Sequence, residues 1–248
     1  MSLVTVERIK LFSTRSPWWC MIIALILADG FITLGFLFAP TEVKADFTPA
    51  ATQGTYLFGM IVMMAMACLA ITTEYRFGTI RTSFLSVPKR IPVLLSKTLV
   101  AAVLSGFVGL VSAFVAWGLG YILVPDADLA INSGAEWRAV LGVPVVYALA
   151  AVLAVAIGTL VRQSAGALAI VICWPLLLEG IGLAIPKVGD FLSDWGPFSR
   201  VNWFLNGDQP GSDPSDALMG PTWSLVYFAA WAIGLLVIAL AVAKKRDA

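Results

Sequence analysis

Residues Thr98 to Val124 read TLVAAVLSGFVGLVSAFVAWGLGYILV, an uninterrupted stretch without a single charge. About 20 residues of helix cross a hydrocarbon core about 30 Å thick, so this run is long enough to span, tilt or project into the headgroups. Its apolar residues are continuous rather than alternating, which excludes the strand pattern of a membrane barrel. Five more runs of the same kind lie to either side. Trp18 to Phe38 is broken only by Asp29, and Thr55 to Ile71 is uncharged though short. Ala139 to Val161 contains Pro144, Ala165 to Ile185 contains Pro175 and Glu179, and Trp223 to Ala243 is uncharged. The reading is an all-α membrane protein with six transmembrane helices, at about 18–38, 55–71, 98–124, 139–161, 165–185 and 223–243. A single membrane domain over residues 1–248 accounts for all of it.

The composition agrees. Apolar residues make up 60% of the 248 and charged ones only 12%, with a mean hydropathy of +0.91. A soluble domain is nearer half apolar and a quarter charged. Histidine is absent, which excludes His-based triads, His-ligated zinc or iron and His-held haem. Cys20, Cys68 and Cys173 sit in apolar runs without CxxC spacing and read as small core or lipid-facing residues. An intramembrane enzyme is disfavoured by the missing histidine, HExxH and paired GxGD-like aspartates. The first span follows Glu7, Arg8, Lys10 and Arg15 and is too long for the core of a cleavable signal peptide.

An even number of spans puts both termini on one side. Twelve of the sixteen Lys and Arg residues fall on the terminal side, against Lys44, Arg138, Lys187 and Arg200 on the other. By the positive-inside rule both termini are therefore expected in the cytoplasm. Ser2 to Ser16 suits either an amphipathic helix in the interface or ordinary basic flanking, and Pro17-Trp18-Trp19 is expected to turn the chain into the bilayer. After the second span, Thr72 or Thr73 is a candidate helix cap with Glu74 in the first turn. Phe77, Ile80, Phe84 and Leu85 recur at spacings of three and four, and Pro88 closes the segment. An amphipathic helix from about Thr73 to Val87 is the expectation, either lying passively on the membrane or serving a partner.

This segment, Glu-Tyr-Arg-Phe-Gly-Thr-Ile-Arg-Thr-Ser-Phe-Leu-Ser-Val-Pro-Lys-Arg, followed by Leu94-Leu-Ser-Lys97, resembles the type-2 ATP-binding-cassette (ABC) exporter permeases, including the drug and antibiotic efflux type. The layout is similar too: six spans, an amphipathic start around Val6 to Leu11, and a longer outer segment, Pro186 to Thr222, before the last span. The resemblance implies a coupling helix between spans two and three. Glu74, Tyr75, Arg76, Gly78, Thr79 and Arg81 then become the candidates for contact with a separate ATPase. It further implies two ATPase copies carrying ATP and Mg, a second permease chain, identical or paralogous, and location in a bacterial inner membrane. No cofactor is expected in this chain and no nucleic acid among its partners. The 248 residues contain no GxxxxGK[ST], so the motor would be borrowed.

Two acids fall inside spans. Asp29 is near the middle of the first, where a charge costs at least about 2.5–3.5 kcal/mol. It is either a contact on a translocation pathway or a packing acid. Glu179, between Trp174-Pro175 and Gly180-Ile-Gly182, marks a helix expected to break and bend near the outer surface. Both acids are candidates for the pathway. They also support the alternative reading, an ion-coupled secondary transporter or channel. Gly106, Gly109, Gly118 and Gly120 read as helix-packing residues.

Overall fold

The computed structural model describes residues 3–40, 44, 47–79, 90–207 and 219–245. These form nine α-helices and, among the described residues, no strand. A short helix α1 (Leu3–Phe12) precedes α2 (Ser16–Phe38), α3 (Tyr56–Arg76), α4 (Arg90–Leu123), α5 (Gly134–Val161) and α6 (Ser164–Cys173). The chain then widens into a π-helical stretch, Trp174–Ile181, and a 3-10 turn, Gly182–Ala184, before α7 (Val188–Trp195), α8 (Pro197–Asn206) and α9 (Pro221–Lys245). Six segments are long and apolar enough to cross a membrane: α2, Ala51–Arg76, Ile91–Leu123, α5, Ser164–Ala184 and α9.

Helix α5 is the hub, packed against α3, α4, α6, α8 and α9. Its buried positions are mostly Ala, Val and Gly, small side chains that let helix axes approach closely. Tyr147 is the largest of the exceptions and is fully buried. A Cβ on Gly109 would stand 2.8 Å from its ring, and one on Gly59 would collide with its hydroxyl. Those two glycines leave the space, and the hydroxyl donates to the Tyr56 carbonyl at 2.8 Å. Gly106 and Gly120 also lie at close approaches, whereas Gly118 has open space beside it. Peripheral helices look outward instead: only 17% of the most apolar stretch of α9 is buried, against 67% for α5. Ile26, Val103, Phe107 and Trp223 are among the large apolar side chains left exposed, as suits surfaces bathed in lipid.

Several boundaries differ from the sequence reading for local reasons. Helix α5 begins five residues early because Ser133 and Glu136 form a capping box. Ser133 Oγ accepts from the Glu136 amide, and Glu136 Oε2 accepts from the Ser133 amide at 2.8 Å. The turn into the first span falls at residues 13–15, just ahead of Pro17, which sits in the first turn of α2. Thr72 and Thr73 cap nothing: their hydroxyls donate back to the Cys68 and Leu69 carbonyls, and α3 runs through them to Arg76. Pro175 does not break the fifth span, since the helix widens into the π-helical turn there and carries on to Ala184. The expected outer segment contains α7 and α8, and α8 buries Phe198, Val201, Phe204 and Leu205 against α5 and α9.

Candidate functional site

The end of the bundle that carries the termini holds a cluster of four charged side chains from three helices. Lys97 on α4 is 6% exposed and Glu7 on α1 is 5% exposed. Lys97 Nζ donates to Glu7 Oε2 at 2.6 Å and to Glu74 Oε1, on the last turn of α3, at 2.9 Å. Lys10 completes the group, 3.2 Å from Glu7 Oε1 and 3.6 Å from Glu74 Oε1. Two ammonium groups thus face two carboxylates. A lone charge at this burial would carry an uncompensated desolvation penalty, whereas the paired set offsets it with charge-assisted hydrogen bonds. Helix α1 accordingly turns Glu7 inward and leaves Val4, Arg8 and Ile9 exposed. A cavity of about 540 Å³ lies beside the cluster, lined by Lys10, Thr14, Thr73, Glu74 and Thr79 among others.

The chain immediately beyond the cluster is exposed. Arg76 and Phe77 stand out from the end of α3, the Arg76 guanidinium 5.7 Å from the centre of the Phe77 ring. Gly78 turns the chain with a φ of +70°, a left-handed conformation glycine adopts without strain, and residue 79 is helical again. Tyr75 is covered by Arg162, whose guanidinium stands 5.0 Å from the ring centre. Arg162 itself closes the α5–α6 turn at a φ of +57°. The six residues singled out in this segment therefore divide. Glu74 and Tyr75 face other helices, while Arg76, Gly78 and Thr79 are exposed. Arg81, and the helix expected to run to Val87, lie outside the described residues.

The intramembrane acids take no part in this cluster: neither shares a hydrogen bond or ion pair with it among the described residues. Asp29 is 8% exposed and accepts a 2.8 Å hydrogen bond from Ser112 Oγ on α4, and no ion pair involves it among the described residues. Beside it an open groove of about 680 Å³ runs along α2, lined by Ile26, Gly30, Phe31 and Leu34. Glu179 is 2% exposed, and its Oε2 accepts from the Ser199 amide at 2.7 Å and the Ser199 hydroxyl at 3.1 Å. It caps α8 from the π-helical turn. Among the described residues no group of three or more His, Cys, Asp or Glu side chains is placed to hold a metal ion.

Glu7, Lys97, Ser112 and Arg162 were not singled out as site residues from the sequence. Only the Glu7–Lys10 spacing carries a local signal, three residues along one helix. The Lys97–Glu7 pair joins positions 90 apart, which no periodicity reveals. Comparison of the sequence with models of known protein families finds no match, and a search among curated proteins finds none.

Proposed function

We propose that this chain is the membrane-spanning permease subunit of an ATP-driven ABC exporter, working with a separate ATPase. The observation that carries the reading is the joint between an exposed tip and a locked helix end. Arg76 to Thr79 offer a contact surface at the end of α3, and the turn before it is tied to α1 and α4 through Glu74, Lys97 and Glu7. A partner that displaces the tip therefore moves three helices together, a rigid-element transmission of the kind that switching proteins use. The excess of Lys and Arg at this end supports a cytoplasmic location for it, where ATP is available; a bacterial inner membrane is what the resemblance implies. Two ATPase copies and a second permease, identical or paralogous, complete the assembly. The groove along α2 beside Asp29 is a candidate part of the route, and its apolar lining suits a drug, antibiotic or lipid. An ion-coupled carrier gains less support, because the Ser112 bond gives Asp29 a packing role between α2 and α4.

The test is purification of the chain from its native membranes in mild detergent, with every co-purifying polypeptide sequenced. A stoichiometric partner with a P-loop is the expected result. A lone chain that transports without an ATPase overturns the proposal. Arg76→Glu is expected to reduce coupled ATP hydrolysis about tenfold while leaving thermal melting unchanged, since losing one contact made through a charge is worth about 1.5–3 kcal/mol. Normal coupling in that variant removes Arg76 from the contact surface.

A further inference from the structure

At the opposite end of the bundle, a cavity of about 450 Å³ lies between the start of α3, the π-helical turn and α8. Tyr56, Leu57 and Pro175 supply apolar wall, and Glu179, Arg200 and Trp203 supply polar wall. These polar groups are buried, yet among the described residues they are not all satisfied. Glu179 Oε2 is taken by Ser199, but Oε1 makes no hydrogen bond, although the Trp174 side chain and the Phe198 amide stand near the carboxylate. Arg200 is 4% exposed. Its Nη2 donates to the Ser193 carbonyl and, at 3.2 Å, to Asp194 Oδ1, while Nε and Nη1 donate to nothing. The Trp203 indole N–H is likewise buried without a partner. Buried polar groups in native proteins are nearly always satisfied, and leaving a charged one unmade is costly.

The leftover groups have a definite pattern. Among the described residues no cation pairs with Glu179, so its free oxygen calls for a positively charged donor. Arg200 and Trp203 together offer three nitrogens with unused N–H donors, which call for an anionic oxygen. Among the described residues Arg200 forms an ion pair only with Asp194, which is 38% exposed. The apolar wall beside them includes Leu183, which is exposed, so a ligand with an apolar extension fits the opening.

We propose that this cavity binds a zwitterion of the phosphoethanolamine class. Its ammonium donates to Glu179 Oε1, and its phosphate oxygens accept from Arg200 and Trp203. The source is either the headgroup of phosphatidylethanolamine or free phosphoethanolamine. The site stands apart from the ATPase reading, since it lies at the other end of the bundle and its test involves no transport.

The experiment is native mass spectrometry of the full chain in detergent, given equal amounts of phosphatidylethanolamine, phosphatidylglycerol and phosphatidylcholine, with free phosphoethanolamine as competitor. Retention of phosphatidylethanolamine above the other two is expected, because one lacks the ammonium and the other lacks its N–H donors. Displacement by free phosphoethanolamine identifies the headgroup chemistry as sufficient. Persistent retention despite the competitor assigns the site to the lipid. Glu179→Gln keeps an oxygen to accept from Ser199 and so preserves the α8 cap. It is expected to lower phosphatidylethanolamine retention about tenfold, about 1.4 kcal/mol, with phosphatidylglycerol unchanged. Trp203→Phe keeps the ring and is expected to weaken both lipids several-fold through the lost phosphate donor. Equal retention of all three lipids by the native chain overturns the proposal, as does unchanged retention in either variant.

Discussion

At the end of the bundle that carries the termini, Lys97 is enclosed by two carboxylates and makes two short charge-assisted bonds. At the other end Arg200 meets one part-exposed carboxylate and keeps two idle nitrogens, while Glu179 keeps an idle oxygen. Both regions bury charge, but only the first balances it from within the chain. The first cluster serves as a joint, because its two ammonium groups are matched by two carboxylates whose bonds tie three helices together, although Glu74 Oε2 makes no hydrogen bond among the described residues. The second has no such internal match of charge, and its unused bonds favour a ligand. The contrast separates a mechanical role for Glu7, Glu74 and Lys97 from a binding role for Glu179, Arg200 and Trp203.

Four single variants and one combination break or sharpen that contrast, each read as a shift in thermal unfolding of the purified chain. Lys97→Met is expected to cost the most, about 3–5 kcal/mol, because it strands buried carboxylates without their main cation. Combining it with Glu7→Gln and Glu74→Gln should restore most of the loss, since removing a whole buried network is close to neutral. Wild-type melting in the single variant would mean that the cluster is no joint. Glu74→Gln alone keeps an acceptor for Lys97 and loses only its charge, so about 1–2 kcal/mol is expected. Arg200→Met, measured without lipid, should cost at most about 1 kcal/mol. Its partner Asp194 reaches solvent, and two of its nitrogens bond nothing. A loss as large as that of Lys97→Met would erase the distinction between the two ends. Asp29→Asn should change stability least, by under about 0.5 kcal/mol, because the amide oxygen still accepts from Ser112 and such bonds within membranes average about 0.6 kcal/mol. A cost above about 2 kcal/mol would show that the charge itself is held in place.

The six spans were legible because continuous apolar runs near 20 residues permit little else. Their edges were less so. The start of α5 lies outside the apolar run, because Glu136 bonds to Asn132 and Ser133 and so extends the helix into polar sequence. Thr72 and Thr73 looked like a helix start and proved to be helix interior, since a threonine hydroxyl bonds equally well to the carbonyl four residues back. Glu74 was recognisable as a residue of interest, but as a charged edge for a partner rather than as one corner of an internal cluster. Asp29 and Glu179 stood out as acids in apolar surroundings. Their partners Ser112 and Ser199 did not, because serine is unremarkable within a span and in a loop.

Composition and spacing alone determine that this chain is all-helical, spans a membrane six times and carries its basic residues mainly at one end. Those properties follow from chain-local physics: the apolar length needed to cross the bilayer and the need to satisfy backbone polar groups within each segment. Which buried charges are matched and which are left over was decided only by the tertiary structure. Glu7 meets Lys97 across 90 residues of chain, and Glu179 meets Ser199 across 20. Ion pairs and hydrogen bonds act over a few ångströms of space, and no local pattern records which distant helices come that close.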